Sequence, residues 1–388
     1  MSRRLMELRE QGLERVLRLP AGIDFASNDY LGLGRHPEIL GALEARVAAA
    51  RESGEAWAAP ASRLLRGTTE AHLALEKRLA LFKGQEAALL FSSGYQANVG
   101  LLTALLGPND RAISDAQNHA SLIDGLRLSG CQKVVVPHLD LAAFARALEV
   151  SHTAGRTVVL VESLYSMDGD IAPLRELADL CATLGADLIV DDAHATGVFG
   201  DDRGSGLVEA LGVERRVAAV VTTFGKALAS GGACVSGSRA LIDYLVTRSR
   251  AFLFSTAQPP FALWAVEAAL DRLAAEPELR VRVRQLADRL RAGLRSLGVD
   301  TLRSAGPIVP LVLGENRRVL QVAEALQDRG FDVRAVRPPT VAPGTARLRI
   351  SIHAERTDRE VDALVAAIGQ VLAAPPVDSP MPAEASGT

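Results

Sequence analysis

An amine, two imidazoles and a carboxylate stand at the ends of apolar runs in this chain, and each is a group that can do chemistry. Only four of its 43 basic residues are lysines: Lys77, Lys83, Lys133 and Lys226. Lys226 lies in Val221-Thr222-Thr223-Phe224-Gly225-Lys226-Ala227-Leu228, where an apolar run enters a turn of small residues. Where arginine carries nearly all the positive charge, a lysine in that setting suggests amine chemistry. A guanidinium stays protonated and forms no Schiff base, whereas a desolvated amine can lose its proton. For a free lysine at pH 7 that loss costs roughly 4–5 kcal/mol, a cost that burial and a carbonyl partner remove. The plain alternative is a surface lysine following a strand.

The other groups read in the same way. Asp191 ends an apolar run in Val190-Asp191-Asp192-Ala193-His194-Ala195-Thr196-Gly197, with His194 three residues on. Such a pair could bind a metal, or supply an anionic partner to a protonated heterocycle. No HExxH, CxxC or EF-hand spacing accompanies it, which disfavours metal. Phe91-Ser92-Ser93-Gly94-Tyr95-Gln96-Ala97-Asn98 reads as strand, glycine turn and helix start. Its backbone N–H groups and helix dipole suit a phosphate, although ordinary βα loops look alike. His119 follows the next run, in Asp115-Ala116-Gln117-Asn118-His119-Ala120-Ser121; a lone histidine is more often structural. There is no G-x-S-x-G elbow and no G-x-G-x-x-G after an early strand. Gly225-Lys226 is not a phosphate-binding P-loop, because that pattern needs Gly where Val220 stands and Ser or Thr where Ala227 stands. Glycine turn, histidine, Asp-x-x-His and Thr-x-x-Lys, in that order, match the needs of pyridoxal 5′-phosphate (PLP). That cofactor requires a phosphate cradle, a ring stack, a carboxylate keeping the pyridine nitrogen protonated, and a Schiff-base lysine.

The elements that must position these groups alternate. Between about residues 40 and 275, β-rich runs at 87–91, 111–114, 133–136, 157–162, 187–191, 218–223 and 233–236 are separated by helical stretches. Several runs are almost wholly apolar, as strands buried on both faces must be. The pattern predicts an α/β layer with a mainly parallel sheet. A helical stretch over 277–297 then leads to strands at 307–312 and 347–352 around a helix at 316–329, a smaller α+β domain. In the last strand Leu348, Ile350 and Ile352 share the core face, and Arg347, Arg349 and Ser351 share the other. Residues 3–18 read as a short amphipathic helix. The expected division is 1–45, an N-terminal helix and substrate-contact segment; 46–275, the large α/β domain; 276–373, the small domain; and 374–388, a disordered tail rich in Pro, Ala, Ser and acidic residues.

Composition narrows the class further. A length of 388 residues with 48% hydrophobic residues fits a globular protein of two or three domains. The net charge of −3 gives no footprint for nucleic acid. Cys131, Cys181 and Cys234 are isolated and odd in number, against a disulfide framework or a cysteine metal cluster. The N-terminus lacks the apolar run of a signal peptide, and no stretch approaches the about eighteen apolar residues of a membrane span. The expectation is a cytoplasmic protein.

At this point the motifs resemble a known family, the α-oxoamine synthases among the fold type I PLP-dependent enzymes. The resemblance spans about residues 5–372 and rests on several ordered segments. They are Ser27-Asn28-Asp29-Tyr30-Leu31-Gly32-Leu33, Ala61-Ser62-Arg63-Leu64-Leu65-Arg66-Gly67-Thr68, Asn118-His119-Ala120-Ser121 and Ser166-Met167-Asp168-Gly169-Asp170. Asp191-Asp192-Ala193-His194, Thr223-Phe224-Gly225-Lys226, Arg337-Pro338-Pro339-Thr340-Val341 and Arg347-Leu348-Arg349 complete the set. By that resemblance Lys226 would hold PLP and shuttle the substrate's α-proton. Asp191 would pair with the pyridinium nitrogen, His194 would bond the ring's phenolic oxygen, and His119 would stack on the ring and donate a proton to the acyl oxygen. Gly94, Tyr95, Thr223 and Ser166 would serve the cofactor and its phosphate, and Thr256 would reach the phosphate of the neighbouring subunit of a homodimer. Arg349 would clamp the amino-acid carboxylate, a role Arg347 on the same face could exchange with it, while Thr340 and Arg15 would touch the acyl substrate. The reaction implied is decarboxylative condensation of L-alanine with pimeloyl-CoA, or its acyl-carrier-protein equivalent, for biotin synthesis. Sister reactions of glycine or L-serine with other acyl-CoA donors, and an aminotransferase on the same fold, are the alternatives. Ala229 departs from the family pattern, which has glycine there.

Overall fold

Apolar runs bracketed by polar turns cannot leave their backbone groups unpaired in a core, so they assemble edge to edge. The computed structural model describes residues 2–152 and 154–374, so the expected tail lies almost wholly outside the described residues. In chain order the strands are β1 (Ile23–Asp24), β2 (Ala87–Phe91), β3 (Arg111–Asp115), β4 (Gln132–Val136), β5 (Thr157–Glu162), β6 (Asp187–Asp191), β7 (Ala219–Thr223), β8 (Ala233–Gly237), β9 (Ile308–Gly314), β10 (Phe331–Asp332), β11 (Arg334–Val336) and β12 (Ala346–Ser351). Seven of them form one sheet in the order β2-β8-β7-β6-β5-β3-β4. β8 alone runs antiparallel to its neighbours, so the other six point the same way. This is the α/β architecture of fold type I that the sequence predicts.

Alternation assigns each strand residue to one of two covered faces. Val158 and Leu160 pack with Ile189 and Val221 on one side, while Val159 and Val161 pack with Val190 and Val220 on the other. Because all six parallel strands point one way, Phe91, Asp115, Glu162, Asp191 and Thr223 end on a single edge of the sheet. Open α/β sheets place ligands outside such an edge.

The remaining strands bring a second wall to that edge. β11, β12 and β9 form an antiparallel sheet backed by helices Glu278–Ser296, Asn316–Gln327 and Asp358–Ala373. All six residues of β12 are buried, including Arg347 and Arg349. The apolar face of β12 (Leu348, Ile350) joins a core continuous with Phe25, Tyr30, Leu31, Phe224 and Leu263. The N-terminal segment is woven into this sheet region, since β1 pairs parallel with β10 (Ile23 opposite Phe331, Asp24 opposite Asp332).

The first helix, Ser2–Glu10, is shorter than residues 3–18 suggest. A glycine stop ends it: Gly12 is left-handed (φ +62°), Gly12 N–H donates to Arg9 O at 2.9 Å and Leu13 N–H to Leu8 O at 2.8 Å. The Arg337 guanidinium then donates to the carbonyls of Gly12 and, at 3.0 Å, Glu14, holding the segment that follows. Among the described residues no helix is long and apolar enough to cross a membrane, and the three cysteines are free and buried.

Candidate active site

Lys226 sits where β7 turns back into β8. The turn is closed by Phe224 N–H to Gly232 O (2.8 Å), Ser230 N–H to Phe224 O (2.8 Å) and Ala229 N–H to Lys226 O (2.8 Å). Ala229 takes up a left-handed conformation (φ +46°) to complete it. The Lys226 amine donates to Thr223 Oγ1 at 3.0 Å. Desolvation lowers its pKa from the ordinary lysine value; the charges of Asp191 and Glu162 oppose that and the Arg349 guanidinium adds to it.

Asp191 ends β6 and is buried. Asn98 donates to its Oδ2 at 2.7 Å and Ala193 N–H to its Oδ1 at 3.1 Å, so neutral donors hold it. The same Asn98 amide donates to Ser121 Oγ at 2.8 Å. Glu162 lies directly across the β5–β6 ladder from Asp191. Burial, reinforced by the Asp191 charge, pushes the Glu162 carboxyl up to about 8, against the pull of Lys226 and two backbone N–H groups.

The residue after Asp191 faces the other way. Asp192 is fully buried and paired with Lys83, whose amine donates to its Oδ2 at 2.7 Å and to Thr196 Oγ1 at 3.2 Å. Ser163 Oγ (2.6 Å) and Leu207 N–H (3.2 Å) donate to its other oxygen. Burial raises the Asp192 carboxyl above its usual value even beside Lys83. This knot anchors the loop that carries Asp191 and His194.

His194 Nδ1 lies 2.7 Å from the Tyr30 hydroxyl. Burial drives its pKa well below the usual histidine value, helped by the charges of Lys226, Arg349 and His119. His119 caps helix Ala120–Ser129, its Nδ1 accepting from Ser121 N–H at 3.2 Å and lying 2.7 Å from Ser121 Oγ. Burial lowers its pKa too, with Asp191 opposing and Lys226 adding. Both imidazoles are therefore neutral near pH 7.

Arg349 donates from Nε to Ser166 O (2.6 Å), from Nη1 to Ser351 Oγ (2.8 Å) and from Nη2 to the Tyr30 hydroxyl (3.2 Å). None of these partners is a carboxylate. Arg347, by contrast, is ion-paired with Asp168. Of the two arginines sharing the strand face, only Arg349 keeps its charge free for an incoming carboxylate among the described residues.

Gly94 starts helix Gly94–Leu105, capped by Ser93, whose hydroxyl accepts from Gln96 N–H. An added Cβ at Gly94 would stand 2.4 Å from Thr223 Cγ2, so only glycine lets the turn approach β7. The first N–H groups of this helix have no partners within it. The Tyr95 hydroxyl donates to Asp124 at 2.7 Å, while its backbone N–H belongs to that first turn. Ser166 is buried and holds Arg349 through its carbonyl. Thr256 is exposed, bridges to Ser62, and takes a long 3.5 Å contact from Ser92. Arg15 and Thr340 are exposed and joined to each other, Nη2 to Oγ1 at 3.1 Å.

Lys226, Asp191, His119, His194 and Arg349 thus share one electrostatic cluster, Gly94 and Thr223 are in contact, and Ser166 joins through Arg349. Thr256 and the Arg15–Thr340 pair lie on the surface. Asn98, Ser121, Glu162 and Tyr30 belong to the cluster but drew no role from sequence. The available signal was polarity where neighbours are apolar, since Asn98 and Ser121 lie on buried helix faces. PLP fits these residues. A carboxylate held by neutral donors suits a protonated ring nitrogen, a glycine cradle at a helix N-terminus suits a phosphate, and the buried Lys226 amine is bonded to Thr223, the residue against which that glycine packs.

The family model for class I and II aminotransferases matches residues 20–368. The chain is 49% identical over 350 residues to an 8-amino-7-oxononanoate synthase of Anaeromyxobacter dehalogenans, covering 90% of this chain and 86% of that one. Among solved structures, a serine palmitoyltransferase determined with PLP superposes with TM-score 0.87 at 28% identity, covering 95% of this chain and 96% of that one. An 8-amino-7-oxononanoate synthase from Francisella tularensis superposes with TM-score 0.76 at 26% identity, covering 90% and 98%. The chain belongs to the class I and II aminotransferase family and, within it, to the PLP-dependent 8-amino-7-oxononanoate synthases.

Proposed function

We propose that this chain condenses L-alanine with pimeloyl-CoA, or with the same acyl group on a carrier protein, for biotin synthesis. The acyl carbonyl carbon bonds to the alanine Cα, the C–S bond breaks, and the alanine carboxylate leaves as CO2. One proton is taken up, giving 8-amino-7-oxononanoate and a free thiol. The observation that carries the reading is the buried Lys226 amine, which feels the charges of both Asp191 and Arg349, the latter guanidinium bonded to no carboxylate among the described residues.

When bound, PLP supplies an electron sink for negative charge developing on the amino-acid Cα. The residues do the rest. Asp191 would hold the ring nitrogen protonated, and Asn98 keeps that carboxylate aimed. Gly94, the Tyr95 backbone and Thr223 would receive the phosphate, with Ser166 alongside. His194 would donate to the phenolic oxygen, and His119 would stack on the ring. Arg349 binds the alanine carboxylate and Lys226 takes the α-proton, burial having lowered its pKa and so favoured the free base over the charged one. His119 hands a proton toward the acyl oxygen, and Arg15 with Thr340 meets the acyl chain at the surface. The same reading divides the chain at about residues 45, 275 and 373, with the carboxylate clamp coming from the small domain.

The reading includes a cytoplasmic homodimer in which Thr256 reaches the partner's phosphate site. Support comes from large apolar side chains left exposed in one chain, among them Trp57, Leu65 and Phe254 at 69, 80 and 72%, a pattern that marks association surfaces. A thiol-release assay on the PLP-loaded protein tests the reaction. L-Alanine with pimeloyl-CoA is compared with glycine plus acetyl- or succinyl-CoA and with L-serine plus palmitoyl-CoA. Release confined to alanine with pimeloyl-CoA, with the amino-ketone confirmed by mass, is expected. Release only from another pair would move the protein to a sister reaction.

A further inference from the structure

Tyr30 is fully buried, and no part of the reaction above needs it as an acid or base. Its hydroxyl nevertheless meets three polar groups. His194 Nδ1 lies at 2.7 Å, Asn28 Oδ1 at 3.2 Å and Arg349 Nη2 at 3.2 Å. Arg349 can only donate, so it uses one lone pair of the hydroxyl. The single hydroxyl proton must then go to His194 or to Asn28. An O–H donor normally sits about 2.5–3.0 Å from an oxygen acceptor, whereas about 3.2 Å is still an ordinary length for N–H donation. The 3.2 Å Asn28 contact is therefore the weaker acceptor for the hydroxyl proton, and the Arg349 contact is well placed for a guanidinium one. The 2.7 Å contact to His194 Nδ1 is the better placed to take the proton.

We propose that Tyr30 is a positioning residue that fixes His194 as its Nε2-protonated tautomer while bracing Arg349 from the same oxygen. In a neutral imidazole one nitrogen accepts and the other donates. A hydroxyl proton committed to Nδ1 places the histidine's proton on Nε2. His194 then offers a donor to an oxygen acceptor such as the phenolic oxygen of PLP. Without Tyr30, an Nδ1-protonated ring would present a lone pair to that oxygen and repel it. Burial agrees with this assignment, since it keeps the Tyr30 phenol above its ordinary pKa and so protonated, and keeps His194 uncharged. One short, buried hydroxyl therefore couples the cofactor-facing histidine to the arginine read as the carboxylate clamp, and ties both to the N-terminal segment.

The inference rests on the reading of the site as a PLP site, and the test separates the two. Full-length protein labelled with 15N-histidine and loaded with PLP is examined by long-range 1H–15N NMR, with His194→Gln used for assignment. The expected wild-type pattern is a neutral ring protonated at Nε2. Tyr30→Phe, which keeps the buried ring, should give mixed tautomers. It should also move the pH midpoint of the bound cofactor's visible absorbance by about 0.5–1 unit, the preference one hydrogen bond confers. KM for L-alanine should rise as Arg349 loses its brace. Asn28→Ala, which removes only the long contact, should leave the His194 tautomer as in wild type. An Nδ1-protonated His194 in the wild type would overturn the proposal, and that observation stands even if Tyr30→Phe does not fold. An unchanged tautomer and midpoint in Tyr30→Phe would overturn it equally. Failure of the wild type to bind PLP would sink the functional reading instead, while the His194 tautomer of the cofactor-free protein still decides the role of Tyr30.

Discussion

His138 offers a stability prediction with a defined pH window. Its Nδ1 lies 2.8 Å from Asp115 Oδ1 and its Nε2 lies 2.9 Å from Asp170 Oδ2, with the ring edge-on to Tyr165 at 4.5 Å between centroids. Asp115 also accepts from Gln117 N–H and Leu139 N–H, both at 2.8 Å. The imidazolium thus clamps together the loop leading to His119 and the loop carrying Ser166 and Asp168. Burial opposes the charge, but the two carboxylates outweigh it and raise the pKa from 6.5 to about 9. A folded-state value above the unfolded one means the contribution is complete below pH 6.5 and is lost as pH rises through 9. The full shift corresponds to about 3 kcal/mol, and partial solvent exposure of the ring reduces that to about 1–2 kcal/mol. His138→Gln keeps hydrogen-bonding capacity and removes the charge. Thermal unfolding at fixed protein concentration should show it about 1–2.5 °C less stable than wild type at pH 6, with the gap closing toward pH 10. A gap that stays constant from pH 6 to 10 would refute the charged clamp.

Four further outcomes are expected. Lys226→Ala should abolish thiol release and leave no cofactor trapped on the protein by borohydride; trapped cofactor would show that another amine holds it. Asp191→Asn should still bind PLP but slow deuterium exchange at the alanine Cα by at least about 100-fold, the scale of a lost electrostatic stabiliser; near-wild-type exchange would remove Asp191 from that role. Lys83→Met strands the Asp192 carboxylate in the core and should cost about 3–5 kcal/mol by chemical denaturation, part of which Asp192→Asn in the same chain should restore. A loss under about 1 kcal/mol would mean that the pair is not the anchor described. Ala229→Gly should be nearly neutral, within about 0.5 kcal/mol, because relief of the left-handed alanine offsets the added chain entropy; a loss above about 1 kcal/mol would show that the methyl contact dominates.

Sequence alone determined the strands of the large sheet almost to the residue, because a strand covered on both faces must be apolar at successive positions, as Thr157–Glu162 and Asp187–Asp191 are. It also marked Asp191, His194, Lys226 and the Gly94 turn, since their chemistry is tied to short spacings at strand ends. The N-terminal helix was less legible. Its amphipathic pattern runs past Glu10, but the left-handed Gly12 stops it, and Arg337, more than 300 residues away in the chain, holds the segment beyond through the carbonyls of Gly12 and Glu14. Tertiary structure alone separated Arg347 from Arg349, which are two residues apart on one strand face. Asp168 neutralises the first, while the second meets only uncharged acceptors. It alone joined Tyr30 to His194, 164 positions apart, and lifted Glu162 by burying it, with Asp191 across the sheet adding to the effect. Local pattern reports what a residue can do and which face it occupies. Which charge is free, which proton is held and which carboxyl stays neutral depend on distances between chain-remote groups in a low-dielectric interior, and folding sets those distances.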